Sequence, residues 1–128
     1  MQYEYFYGAQ AEQFSFYRIP KALFTEPNFR ELSTDAKVLY GILLDQMSLS
    51  LKNQWLDAQN KVYIIFTVEE IMDALNCANQ KATRLMVELE KQAGLIERKR
   101  QGLGRPNLIY VKNFAASIND KSCEKGDS

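Results

Sequence analysis

Between Glu97 and Asn107 the chain reads ERKRQGLGRPN, four cations gathered around two glycines and a proline, with the apolar runs GLI before it and LIYVKNF after it. No other stretch constrains the fold as much. Glycines at 102 and 104 permit tight backbone with positive φ, and Pro106 stiffens the return. The flanking runs favour β-structure, so the expectation is a hairpin with strands over 95–100 and 108–114 joined by a basic loop. Alternation along the first strand places Arg98 and Arg100 on one face and Lys99 on the other, with Gln101 and Arg105 in the loop. GLGRPN is not a nucleotide-binding loop, because it lacks the strand-to-helix context and the Lys-Ser/Thr pair.

Helices precede the hairpin. Ser33 reads as the N-cap of a long helix, with Asp35 in its first turn, running through TDAKVLYGILLDQMSLSL. Its Ala36, Leu39, Ile42, Leu43 and Met47 follow a helical period, and Val38, Tyr40 and Leu44 widen the apolar arc, so this helix is expected to be mostly buried. After the polar turn KNQWLDAQN, the run VYIIF at 62–66 reads as a short strand. Thr67 and Glu70 form a T-x-x-E capping box opening a second helix, VEEIMDAL, and residues 76–78 bend the chain. A third helix over 79–92 carries Ala82, Leu85, Met86 and Leu89 at i, i+3, i+4 and i+7, and Gly94 stops it. A shorter helical piece, PKALF, and the breaker TEPNF precede the long helix.

That order gives an α+β fold, a winged helix-turn-helix with three main helices, a small antiparallel sheet and one basic wing. Three helices and a hairpin also occur in domains that bind only proteins. Residues 20–114 are expected to form the domain. Residues 1–19, rich in aromatics, form an arm or a strand over Phe14–Ile19, docked on the same domain or against a second subunit. Residues 115–128 are polar and aperiodic, and are expected to be a disordered tail or linker.

Charge separates the readings. The chain of 128 residues has zero formal net charge and a pI near 6.3, yet residues 79–112 hold eight cations against three acids. That excess falls on the third helix and the wing, the elements a winged helix presents to DNA. Opposite the apolar stripe the third helix shows Gln80, Arg84 and Lys91, with Lys81 and Thr83 on the flanks and Asn79 at its start. Asn and Gln pair with adenine, Arg with guanine, and Thr touches a thymine methyl. Glu88 and Glu90 lie farther along, where phosphate would repel them. Polar residues opposite a core stripe are also what a solvated helix face looks like; the coupling to a basic wing favours DNA, with Arg98, Lys99, Arg100, Gln101 and Arg105 along the backbone or in a minor groove.

Other chemistry is disfavoured. With no histidine, the chain lacks the usual base near neutrality and the commonest zinc ligand. Glu69 and Glu70 point about 100° apart on a helix and suit a first helical turn better than a catalytic pair. The expectation is therefore no enzyme, no metal and no cofactor. Cys77 and Cys123 form no C-x-x-C pair, which fits reduced thiols, with Cys77 as buried filler. MQYEYFYGAQ is not a signal sequence and no run approaches 18 apolar residues, so the expected location is the cytoplasm, with no membrane contact.

With helix three and wing in place, the sequence resembles the N-terminal domain of replication initiator protein A, the RepA_N family of plasmids in Gram-positive bacteria. FSFYRIPKALFTEPNFRELSTDAKVLYGILLDQMSLSLKN, KVYIIFTVEEIM and GLIERKRQGLGRPNLIYVKNF carry the resemblance, over roughly residues 3–114. It implies a domain that binds repeated sites in a plasmid origin as double-stranded DNA, as a homodimer, and helps recruit host replication proteins. Contacts would come from Asn79, Gln80, Lys81, Thr83 and Arg84 on the helix and Arg98, Lys99, Arg100 and Arg105 on the wing. Family initiators continue into a C-terminal domain, so the chain is expected to be a fragment. The competing readings are a winged helix used only for protein contacts and a transcriptional regulator of winged-helix type.

Overall fold

Ser33 does what its position asks: its hydroxyl accepts from the Ala36 amide at 3.1 Å and starts the helix α2, Thr34–Lys52. In the computed structural model, which describes residues 2–8 and 14–115, α2 follows the single turn α1, Ala22–Thr25, and a 3₁₀ turn, Pro27–Phe29, that has its proline at the start. One face of α2 is buried through Ala36, Leu39, Tyr40, Ile42 and Leu43. Removing side chains the size of Leu39, Ile42 and Leu43 from water stabilises the fold by about 1.5–3 kcal/mol each.

The helix α3, Val68–Leu75, opens with the full capping box: Glu70 accepts from the Thr67 amide at 2.8 Å and the Thr67 hydroxyl accepts from the Glu70 amide at 3.2 Å. Asn76 ends it in the left-handed region, φ 54°, and three residues later α4 begins, Asn79–Val87. Ala82, Leu85 and Met86 of α4 are buried against Ile71 of α3 and Leu39 and Leu43 of α2. The expected single helix over 79–92 changes its winding halfway. From Glu88 to Gln92 it continues as a π turn, and Gly94, φ 67°, closes it.

The strands β1, Ile96–Lys99, and β2, Leu108–Val111, pair antiparallel with Ile96 opposite Val111 and Lys99 opposite Leu108. Both are shorter than the expected strands over 95–100 and 108–114. The segment VYIIF is not a strand: it contributes one bridge to the hairpin, in which Ile64 and Ile109 exchange two amide hydrogen bonds of 2.9 Å. Val62 is instead bridged to Leu56 around a turn held by Asp57, whose Oδ1 accepts from the Gln59 and Lys61 amides. The Asp57 turn pairs Val62 with Leu56, so only Ile64 bonds the hairpin through its backbone, while Tyr63 and Lys61 lie against the Tyr110 ring of β2.

Phe14–Ile19 is also not a strand, and among the described residues it pairs with neither β1 nor β2. Its backbone instead crosses α2 at Gly41, where a Cβ would stand 2.8 Å from Ile19 Cγ1 and 3.0 Å from the Arg18 carbonyl oxygen. Phe6, Phe14 and Phe16 are linked edge-to-face at 5.9 and 6.3 Å and stay exposed. At the other end Phe114 closes on Phe29 and Tyr40, ring centroids 5.1 and 5.9 Å away. Cys77 is half-buried with a free thiol; the expected tail beyond residue 115, including Cys123, lies outside the described residues. No helix among the described residues is long and apolar enough to cross a membrane.

Candidate nucleic-acid interface

Burial of Ala82, Leu85 and Met86 turns the opposite side of α4 outward, and Asn79, Gln80, Thr83 and Arg84 are all exposed there. At the N-cap, Ala78 has no side chain to close the first turn, which leaves the leading amides for water or an anion's oxygens. Lys81 is only half-exposed. Its Nζ sits 2.7 Å from Asp35 Oδ2 in the first turn of α2, a surface pair of small energetic weight.

The π turn decides where the neighbouring acids go. Glu88 is drawn inward, accepting from both the amide and the hydroxyl of Ser33. Glu90 accepts from Arg98 through Nε and Nη2, at 3.0 and 2.7 Å. Both carboxylates are thereby turned toward α2 and β1. The negative charge that would oppose a polyanion is spent inside the domain.

Arg98 consequently does not share an outward face with Arg100. It is opposite buried Ile109 in the hairpin register and points toward Glu90, on the same side of β1 as Ile96. The pleat places Arg98 with Ile96 on the core face of β1, whereas Arg100 lies past the end of the strand and is released from that alternation. Lys99, Arg100, Gln101 and Arg105 are exposed, and among the described residues Arg84, Lys99, Arg100 and Arg105 form no ion pair. Gln101 also braces the loop, donating from Nε2 to the Pro106 carbonyl at 2.8 Å.

Arg105 and Asn107 come back toward the start of α3, and with Arg98, Thr67 and Phe66 they line an open cleft of about 270 Å³ floored by Met86. Thr67 and Asn107 were not among the residues expected at the interface. Thr67 carried only the signal of a helix cap, and the proximity of Asn107 follows from how the hairpin lies against α3. Among the described residues no group of three or more His, Cys, Asp or Glu is placed to hold a metal.

Three helices around one core, the second and third joined by a three-residue bend, and a basic glycine-tipped hairpin bridged to the segment before the second helix, define a winged helix-turn-helix of the α+β class. The chain belongs to the family described as "Replication initiator protein A (RepA) N-terminus", whose sequence profile matches residues 15–125. It is similar to the "41 kDa protein" of Lactobacillus helveticus, 30% identical over 103 residues, which are 80% of this chain and 28% of that protein. The chain thus spans little more than a quarter of that relative. Among solved structures it is similar to one described as "N-Terminal domain of DNA binding protein", at 38% identity and a TM-score of 0.72, covering 88% of this chain and 85% of that one. A second, "Structure of Rep-DNA complex", has 38% identity and a TM-score of 0.71 over 86% and 84%. A third, "Structure of MDR initiator", has 39% identity and a TM-score of 0.69 over 86% of each.

Proposed function

We propose that this chain is the origin-recognising part of a plasmid replication initiator, binding repeated sites in double-stranded DNA through α4 and the wing. The observation that carries this reading is the sorting of charge: Arg84, Lys99, Arg100 and Arg105 face solvent while Glu88 and Glu90 are turned inward. A similar fold at 38% identity is described in a Rep–DNA complex. The front of α4 enters the major groove, with Asn79, Gln80, Thr83 and Arg84 toward base edges, and the wing cations follow the phosphates. Lys81 joins them by exchanging Asp35 for phosphate. Arg98 acts from behind, as the residue that fixes the wing.

The exposed rings of Phe14, Phe16 and Tyr17, at 51, 60 and 58%, favour a homodimer formed through the arm. Matched subunits suit repeated sites. Recruitment of host replication proteins belongs to parts of the initiator outside this chain. The role is that of a cytoplasmic binding domain, not an enzyme.

Fluorescence anisotropy of the full chain on origin-repeat duplex, followed against salt, tests the reading. About four phosphate contacts give log K a slope near −3.5 against log salt. A slope near zero, or equal affinity for repeat and scrambled duplexes, refutes it.

A further inference from the structure

The wing ends in a side chain that nothing covers. Leu103 is 102% exposed, more than any other large apolar residue described. It stands between Gly102 at φ 122° and Gly104 at φ 76°, and neither glycine has an atom within 4 Å of where its Cβ would be. A lone exposed leucine is ordinary on a protein surface. This one is held out on a loop braced from below, by Gln101 Nε2 on the Pro106 carbonyl at 2.8 Å and by the Arg105 amide on the Gly102 carbonyl at 3.3 Å. Exposed Arg100 and Arg105 flank it. An apolar side chain with an exposed arginine on either side of it in sequence suits a surface that is anionic on both sides and apolar between, which is what a groove of duplex DNA offers.

We propose that Leu103 is a wedge that enters the minor groove and opens a base step, so that the wing bends the duplex it binds. This rests on the DNA-binding reading above and adds a second activity to it. Arginine is attracted to a narrow minor groove by its negative potential, which carries the tip to the bases. Leucine inserted between base pairs partly unstacks them and kinks the duplex by about 20–90°. Flexible pyrimidine–purine steps such as TA and CA open most easily, so the wedge imposes a sequence preference without a hydrogen bond to any base. A hydrophobic pocket on a protein would accept the leucine but leave the arginines on both sides without counter-charge.

The test uses the full chain and a duplex recovered by binding selection from random-sequence DNA, with 2-aminopurine placed in turn at each step under the hydroxyl-radical footprint of the wing. The wild type is expected to raise 2-aminopurine emission roughly twofold or more at one step and to bring the duplex ends closer by energy transfer. Leu103→Ser should keep the footprint and the melting midpoint but lose both signals, and Leu103→Met should retain them. Bending and emission unchanged in Leu103→Ser would overturn the wedge and leave DNA binding standing. Unchanged bending together with lost self-association by light scattering would assign Leu103 to a protein contact and overturn the wedge equally. Absence of any wild-type footprint would overturn both readings.

Discussion

Arg98 and Glu90 are clasped through two atoms of one guanidinium, Nε and Nη2, on a single carboxylate oxygen. The clasp joins β1 to the π turn. The hydrogen bond from Arg98 holds the Glu90 carboxyl below its usual range, against partial burial that pushes it upward. A carboxyl lowered in the folded state stabilises the fold above its ordinary value of about 4.3, and that contribution is lost as pH falls through the folded value. Glu90→Gln should therefore cost about 1–2 kcal/mol in urea unfolding at neutral pH. The gap to wild type should narrow below about pH 4; a gap that stays constant with pH would show that the charge on Glu90 contributes nothing.

Tyr40 gives a limb at the other end of the scale. Its hydroxyl donates to the Lys112 carbonyl at 2.7 Å, and burial pushes the phenol up to about 12. A raised phenol leaves stability intact below its ordinary value of about 10, where both states are protonated, and loses it as pH climbs from there toward 12. Tyr40→Phe should cost about 1 kcal/mol at neutral pH and flatten the fall in stability above about pH 10. An equally steep alkaline fall in the variant would assign that limb to other tyrosines.

Gly41 reverses an ordinary expectation. Alanine in place of a mid-helix glycine normally gains about 1 kcal/mol. Here the added methyl meets the Arg18 carbonyl and Ile19, and overpacking costs about 1–3 kcal/mol. Gly41→Ala should lower the melting midpoint in the full chain and raise it in a chain lacking residues 1–19. A rise in both would mean that the arm does not rest on α2.

Two arginines should separate by what they read. Arg84→Ala is expected to lose about 1–3 kcal/mol on the preferred duplex and little on scrambled DNA, whereas Arg100→Ala should weaken all duplexes alike and reduce the salt slope by about 1. Parallel anisotropy titrations check this. Equal losses on both duplexes for Arg84→Ala would remove it from base recognition.

Features that depend on neighbours in sequence were legible before any coordinates. The Ser33 cap, the Thr67–Glu70 box, the bend after Leu75 and the period of Ala82, Leu85 and Met86 all act over one or two helical turns. What was illegible depends on distant partners. The π turn is stabilised by Glu88 reaching Ser33 and Glu90 reaching Arg98, the first across 55 residues. Likewise VYIIF has β-favouring residues throughout, but the Asp57 turn and the hairpin leave only Ile64 in register. Arg98 was read as outward because alternation fixes which residues share a face and not which face meets the core.

The bridge at Ile64 carries one more implication. Beside the buried Ile96 and Ile109 and the Tyr40 hydroxyl on the Lys112 carbonyl, the exchanged amide pair at Ile64 and the guanidinium clasp at Glu90 are two joints that fasten the hairpin to its base. Adjusting either joint would swing the tip relative to α4 and leave the exposed side chains of α4 unaltered, so on the proposed duplex the spacing of the two elements is a separate quantity from the letters being read.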